Sequence, residues 1–153
     1  MKSLQNNKVH IVSRMQELLD EKINEYKAAI AEAMESRNSD TKSSAGDKFE
    51  TGRAMIQMEI DKSEAQLAKT INMKAELDQI KFDKNNSSVG FGSLVITNNE
   101  TYLVAVSMGV IHLDDQNIYA ISLASPIGEI LNRKKQGDQF EFRGRNYLIN
   151  QII

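Results

Sequence analysis

The feature that most constrains this chain is the near absence of helix-breaking residues from its first half. The sequence has one proline, Pro126, and eight glycines, of which only Gly46 and Gly52 precede residue 90. Strand-rich domains need frequent turns that contain glycine or proline. The first 84 residues therefore exclude a sandwich or a barrel and favour long helices.

A stripe of apolar and small residues predicts the first helix over residues 8–37. Its members follow one another at steps of three or four residues, close to heptad spacing. They are Val12, Met15, Leu19, Ile23, Tyr26, Ile30 and Ala33. The next stretch, 36–44, has no large apolar residue and is rich in serine, asparagine and aspartate, which favour turns. We expect the chain to reverse there.

A second stripe with the same spacing predicts a helix that begins near Ser44 or Ala45 and ends at about Phe82. Its members are Ile56, Ile60, Ser63, Leu67, Thr70, Lys74 and Leu77. Two long helices joined by a polar turn are expected to pack as an antiparallel coiled-coil hairpin. At 1.5 Å per residue, roughly 35 residues give each helix a length of about 50 Å.

The composition changes after a linker at residues 83–92. β-Branched and aromatic runs predict strands at 94–96, 102–106, 140–142 and 147–149, with hairpin turns at 98–99 and 143–146. Ser125 is a favourable N-cap and Pro126 suits the first position of a short helix, which Gly137 is expected to end. The predicted fold class is α+β: a two-helix hairpin over 1–84, then a small antiparallel-sheet domain with one short helix over 85–153.

Composition also narrows the classes of function. The chain has no cysteine and only two histidines, His10 and His112, which argues against thiol chemistry and histidine-based sites. Its 19 basic and 21 acidic residues leave no basic excess in either half, so independent binding to DNA or RNA is not expected. No apolar run reaches the roughly 20 residues of a membrane helix, and the N-terminus has no apolar signal core. We expect a cytoplasmic protein with no membrane contact.

An acidic pair stands where the second helix is expected to begin. Asp47 and Glu50 are three residues apart, so on a helix they share one face. Carboxylates suit Mg²⁺, but two are too few to hold it alone, and the other ligands would come from a partner. The alternative is structural, because Ser44 and Asp47 match a capping box and acidic residues are favoured at helix N-termini. Phe49, between charged neighbours, either packs against the first helix or contacts a partner.

Two segments resemble a known family. Residues 125–138, SPIGEILNRKKQGD, resemble the signature of the Gre family of bacterial transcript-cleavage factors (GreA and GreB), in which serine–proline–isoleucine opens a short helix before a lysine–glycine–aspartate turn. Residues 46–50, GDKFE, are similar to the glycine–aspartate–x–x–glutamate tip of that family. The order of the motifs also agrees with the family's coiled-coil hairpin followed by an FKBP-like domain.

The resemblance implies an accessory transcription elongation factor rather than an enzyme. Such a factor binds RNA polymerase through its C-terminal domain, inserts its hairpin into the secondary channel and stimulates the polymerase's own hydrolysis of backtracked RNA. Asp47 and Glu50 would be the tip carboxylates, sharing Mg²⁺ with the polymerase, while the chain alone binds no cofactor. The implied partner-binding residues are Phe49, Ser125, Pro126, Ile127 and Gly128. The factor would be a bacterial cytoplasmic monomer that meets the RNA 3′ end only within the polymerase complex.

The chain departs from the family pattern near the acidic pair. Thr51 stands where asparagine is usual, Phe49 stands where a small or polar residue is usual, and the polar stretch 38–44 is longer than the family's link. These departures define the alternative, which is a Gre-like secondary-channel regulator that does not stimulate cleavage.

Overall fold

Two long helices precede six strands and one short helix. The computed structural model describes residues 2–40, 46–83 and 87–153, and within the helices the side chains of residues 2–6, 40 and 46–49 lie outside this description. The long helices are α1 (Lys2–Asp40) and α2 (Gly46–Leu77). The predicted α+β class, with a helical hairpin before a small sheet domain, is confirmed.

Spatial contacts divide the chain into two compact units. The hairpin unit is Leu18–Lys74, and the sheet unit combines Met1–Glu17 with Ala75–Ile153. Each unit contains part of α1 and part of α2. The domain limits at residues 84 and 85 stay a prediction from the sequence.

In the hairpin unit, side-chain pairs show that the two helices run antiparallel. Lys74 Nζ lies 2.5 Å from Asp20 Oδ1. Further along, Arg37 Nη1 donates to Gln57 Oε1 at 2.6 Å. Early α1 residues therefore face late α2 residues, as the hairpin prediction requires.

The predicted stripes form the seam between these helices. Every stripe position within the hairpin unit is buried or half-buried. Four side chains of the unit are buried among those that the structure describes, namely Leu19, Ile23, Ile60 and Thr70. Thr70 satisfies its hydroxyl by donating to the Gln66 carbonyl at 2.7 Å. The heptad-like spacing thus identified the buried face correctly.

Both helix ends differ from the prediction. α1 continues to Asp40, and the polar side chains of Ser36, Asn38 and Ser39 in its last turns are exposed and need no buried partner. The rest of the predicted reversal, 41–45, lies outside the described residues. α2 ends at Leu77 rather than near Phe82, since the amides of Gln79 and Ile80 bond three residues back at 3.0 and 3.2 Å. This tighter turn accompanies the burial of Ile80 in the sheet unit.

The sheet unit contains a mixed six-stranded sheet with the order β3-β4-β2-β1-β6-β5. The strands are β1 (Leu94–Thr97), β2 (Thr101–Val104), β3 (Gly109–Leu113), β4 (Gln116–Ile121), β5 (Gln139–Phe142) and β6 (Arg145–Ile152), and helix α3 is Pro126–Leu131. All neighbouring pairs are antiparallel except β2 and β4, which are parallel. The chain passes from β2 to β3 at the edge of the sheet, and the following hairpin brings β4 between β3 and β2. The sequence missed β3 and β4 because exposed polar residues interrupt their apolar runs.

Two tight hairpins connect the outer strand pairs. Asp114 and Asp115 link β3 to β4 with φ of 49° and 62°, and Arg143 and Gly144 link β5 to β6 with φ of 52° and 78°. Two residues with positive φ form the turn that suits the twist of a hairpin. The turn predicted within 143–146 is confirmed, and Asp114 and Asp115 form a surface turn.

Two predictions about the segments around α3 are wrong. The helix ends at Leu131 with Asn132 as its C-cap, whereas Gly137 lies in a later turn. Part of the predicted linker also belongs to the core, since Val89 is buried. The Val89 amide donates to the Lys134 carbonyl at 2.8 Å, and the Arg133 amide donates to the Val89 carbonyl at 2.9 Å. These bonds tie the start of the domain to the segment after α3.

One hydrophobic cluster joins α3 to the sheet. Its members are Val89, Val95, Tyr102, Val104, Ile121, Ile127, Leu131, Phe140, Tyr147 and Ile149. The stacked rings of Phe140 and Tyr147 lie 4.9 Å apart within it. None of the helices in the described ranges is long and apolar enough to cross a membrane.

Candidate functional site

The acidic pair lies at the beginning of α2. The helix is continuous from Gly46, so positions 47 and 50 are separated by three residues of regular helix. Glu50 is exposed. The side chains of Asp47 and Phe49 lie outside the described residues, and their predicted roles stay predictions. The backbone therefore agrees with the prediction that positions 47 and 50 both belong to a helix.

No metal site is complete within the part of the chain that the structure describes. No group of three or more histidine, aspartate or glutamate side chains there could hold a metal ion. The donor set at the start of α2 consists of two carboxylates, while Mg²⁺ requires about six oxygen ligands. These residues fit Mg²⁺ only as a partial site that other ligands complete.

The second predicted site begins at the cap of α3. Ser125 has an extended backbone, and its Oγ accepts from the Gly128 amide at 3.1 Å. The same hydroxyl donates to the Ser122 carbonyl at 2.6 Å. Pro126 occupies the first turn, where a missing amide proton costs nothing. The N-cap and proline predictions are confirmed, and the Ser125 hydroxyl is used to form the helix start.

Of the five residues predicted to bind a partner, the four at the start of α3 differ in accessibility. Pro126 is exposed and Ser125 is half-buried, whereas Ile127 and Gly128 are buried. A Cβ added at Gly128 would lie 1.9 Å from the Ser122 carbonyl oxygen. Glycine at 128 thus lets α3 approach the preceding segment, and only the first part of the motif offers surface to a partner. Their binding role stays a prediction.

Beside Pro126 lies a pocket of about 470 Å³ in the sheet unit. Aromatic and aliphatic side chains from β2, β4, α3, β5 and β6 form most of its lining. They are Tyr102, Tyr119, Ile121, Pro126, Ile127, Phe142 and Tyr147. The volume and the lining, in which a few polar groups accompany apolar walls, are typical of protein binding sites. Ser125, Pro126 and Ile127 therefore line the same pocket as residues that are far away in sequence.

Three charged side chains also line this pocket: Glu100, Arg143 and Arg145. Arg145 Nη1 lies 3.4 Å from Glu100 Oε1, and the Tyr102 hydroxyl donates to Glu100 Oε2 at 3.3 Å. Burial, reinforced by the Glu100 carboxylate and by Tyr147, raises the pKa of Tyr102 well above its ordinary value. The tyrosine therefore stays protonated and remains a hydrogen-bond donor.

Sequence reasoning did not identify the charged and tyrosine residues of the pocket. Each looks ordinary in its own strand, because a single tyrosine or arginine in a strand has no distinctive spacing. The available signal was the spacing of two residues between Glu100, just before β2, and Tyr102 within it, combined with a proline-capped helix. Only the sheet order, which places β2 beside β4, brings Tyr102 and Tyr119 together, with ring centroids 5.8 Å apart.

Comparisons with known proteins give a structural likeness but no match in sequence. No family model matches the chain, and no curated protein matches it. A solved structure titled "Structure of the transcription factor Gfh1" is similar with 18% sequence identity and a TM-score of 0.36, over 90% of this chain and 92% of that chain. A TM-score this low does not support a statement about function. The Gre resemblance therefore stays a prediction from the two sequence motifs.

Proposed function

We propose that this protein is a transcription elongation factor that binds RNA polymerase and stimulates hydrolytic cleavage of backtracked RNA. The observation that supports the proposal is the co-occurrence of two motifs in the fold order that the Gre resemblance requires. GDKFE begins the second helix of an antiparallel hairpin, and Ser125–Pro126 caps the short helix of a following sheet domain.

The two regions would divide the work. The sheet unit would dock on the polymerase through Pro126 and the neighbouring pocket, which together present the accessible apolar surface near the motif. The hairpin would enter the secondary channel and bring Asp47 and Glu50 to the polymerase active site. The factor would remain an accessory protein, since the hydrolysis belongs to the polymerase.

Asp47 and Glu50 would add two carboxylates to a Mg²⁺ site whose other ligands come from the polymerase. The chemistry supplied by Mg²⁺ bound there would be a lower pKa of a water molecule and stabilisation of charge on the phosphate. The carboxylates would orient this water toward the RNA phosphodiester. Glu50 is exposed and ready for such a role, and α2 keeps its backbone in a fixed helical position.

Cleavage of stalled, backtracked complexes of the protein's own polymerase tests this proposal. We expect the wild type to release short 3′ RNA fragments faster than the polymerase alone. Asp47→Asn with Glu50→Gln should reduce this stimulation at least about tenfold, since loss of groups that hold a metal or its ligands has effects of this size. Polymerase binding should persist. Asp61→Asn with Glu64→Gln removes the same charge at the same spacing on α2 and should keep full stimulation.

The alternative function is a secondary-channel regulator without cleavage stimulation, favoured by Thr51 and Phe49 at the acidic end. Polymerase binding with no fragments above the intrinsic rate would support this alternative. Absence of polymerase binding would contradict both functions. Equal loss of stimulation in the Asp61/Glu64 control would show that the total charge of the hairpin matters, and not the pair.

A further inference from the structure

The pocket beside Pro126 is lined mostly by apolar and aromatic side chains, together with three charged ones. Three tyrosines and Phe142 supply ring surface, and Ile121 and Ile127 supply aliphatic surface. The single carboxylate of the lining, Glu100, already contacts Arg145 and the Tyr102 hydroxyl. An occupant of the pocket would therefore contact mainly apolar side chains. Both carboxylate oxygens of Glu100 already have a partner within the protein.

Arg143 differs from the other charged groups of the pocket. Its guanidinium lies 5.0 Å from the Phe142 ring, a distance that allows a cation–π contact. Ion pairs between described residues involve Arg14, Lys74 and Arg145, but not Arg143. With two arginines and one glutamate, the pocket lining has an excess of one positive charge.

The backbone at Arg143 gives no local reason for an arginine. Its φ is 52°, in the left-handed region that disfavours residues with a Cβ and tolerates glycine, asparagine and aspartate best. The other two-residue hairpin of the sheet has Asp114 and Asp115 at the equivalent positions. Arg143 combines this unfavourable backbone conformation with a place in the pocket lining, whereas Arg133, the other described arginine with positive φ, does not line the pocket.

We propose that Arg143 anchors a carboxylate of the protein segment that occupies this pocket, and that the segment combines an acidic residue with a neighbouring apolar side chain. The apolar side chain would lie against Tyr119 and Pro126, and the carboxylate would pair with the guanidinium that lies over the Phe142 ring. The inference rests on the proposed function, because the segment belongs to RNA polymerase. It adds the chemistry of the docking segment and the residue that recognises it.

Arg143→Asn separates recognition from folding. Asparagine tolerates positive φ better than arginine, so the variant should keep or raise the Tm, while affinity for the core polymerase should fall about fivefold at low salt. Arg143→Lys keeps the charge and should retain most of the affinity, whereas Arg143→Glu should weaken binding more than Arg143→Asn. The salt dependence of binding should become shallower in Arg143→Asn, because one charge pair is lost.

The chain offers a closely matched control in Arg133. This arginine is exposed, has a φ of 68° and does not line the pocket. Arg133→Asn makes the same chemical change in the same backbone conformation, and it should leave polymerase affinity unchanged.

The outcomes distinguish this inference from the proposed function. If the wild type does not bind core polymerase, the proposed function fails. If the wild type binds and Arg143→Asn binds equally well, or if Arg133→Asn weakens binding as much, the carboxylate anchor is wrong while the function stands. If a single-stranded RNA oligonucleotide binds the free protein and Arg143→Asn abolishes this binding, the arginine recognises phosphate, which also overturns the inference.

Discussion

The sheet unit and the hairpin unit bury their side chains in different ways. In the sheet unit, strands and α3 enclose a cluster of apolar residues that includes Val95, Leu131 and Ile149. In the hairpin unit, burial is confined to one seam between two helices. Small and acidic side chains there leave a gap of about 820 Å³, lined by Ala29, Glu32, Ala33, Glu35, Ser36, Ser39, Ile56, Glu59 and Ser63.

The difference indicates where flexibility can be accommodated. Regions with few buried apolar contacts open at lower free energy than enclosed cores. The acidic pair begins a helix of the loosely packed unit, whereas the pocket belongs to the enclosed one. A more rigid sheet unit and a more adaptable hairpin would suit the proposed function, in which the protein first attaches to a partner and then completes a site within it.

Truncation of one core residue in each unit should give the largest effect. Leu103, fully buried in β2, and Ile60, 1% exposed in α2, are similar in volume. Leu103→Ala should lower the free energy of unfolding by about 2–5 kcal/mol. Ile60→Ala should cost about 2 kcal/mol, at the low end of that range, because its half-buried neighbours can relax around the missing atoms.

Hydrogen exchange and urea unfolding distinguish these two variants. Ile60→Ala should speed exchange in the hairpin unit and leave the sheet amides protected, whereas Leu103→Ala should reduce protection throughout the sheet unit. Equal loss of protection in both units from Ile60→Ala would show a single cooperative structure and would contradict the comparison.

An intermediate effect should come from the same substitution made at one glycine of each unit. Gly128→Ala places a Cβ 1.9 Å from the Ser122 carbonyl oxygen, so the sheet unit should lose about 1–3 kcal/mol. Gly52→Ala lies inside α2 with no atom within 4 Å of the new Cβ, and it should stabilise the hairpin by about 0.5–1 kcal/mol. Thermal unfolding of both variants is the measurement, and shifts of the same sign would refute this assignment.

The hairpin was largely predictable from the sequence, and the sheet only in part. Helical seams depend on residues three and four apart, so the spacing of Leu19, Ile23 and Ile60 already indicated the buried face. The sheet order depends on contacts between residues far apart in sequence. The parallel pairing of β2 with β4, and with it the approach of Tyr102 to Tyr119, therefore had no local signal.

The candidate sites follow the same rule. Ser125 and Pro126 were predictable because a helix cap is a local pattern of a few residues. The pocket beside them was not predictable, since Arg143 reaches it from a hairpin that follows α3 and Glu100 from the turn between β1 and β2, which precedes α3. The helix cap could thus be predicted from neighbouring residues, whereas the pocket around it depends on the order of the strands in the sheet.

The smallest predicted effect is a pH dependence confined to the sheet unit. Tyr102 is 5% exposed, and burial together with Glu100 and Tyr147 raises its pKa above the ordinary value of 10.0. The unfolded chain therefore releases this proton at a lower pH than the folded chain does. The stabilisation is fully present below pH 10 and is lost as the pH rises above it, by about 1 kcal/mol between pH 10 and 11.

Urea unfolding at pH 8 to 11, followed by circular dichroism, measures this loss. Tyr102→Phe removes the titrating hydroxyl while keeping the ring, so its stability should decline less over the last pH unit. Tyr119→Phe, a second tyrosine of the same pocket, is the control that should keep the decline of the wild type. An unchanged decline in Tyr102→Phe would assign the alkaline sensitivity to other groups, and the enclosed sheet core would then not be its source.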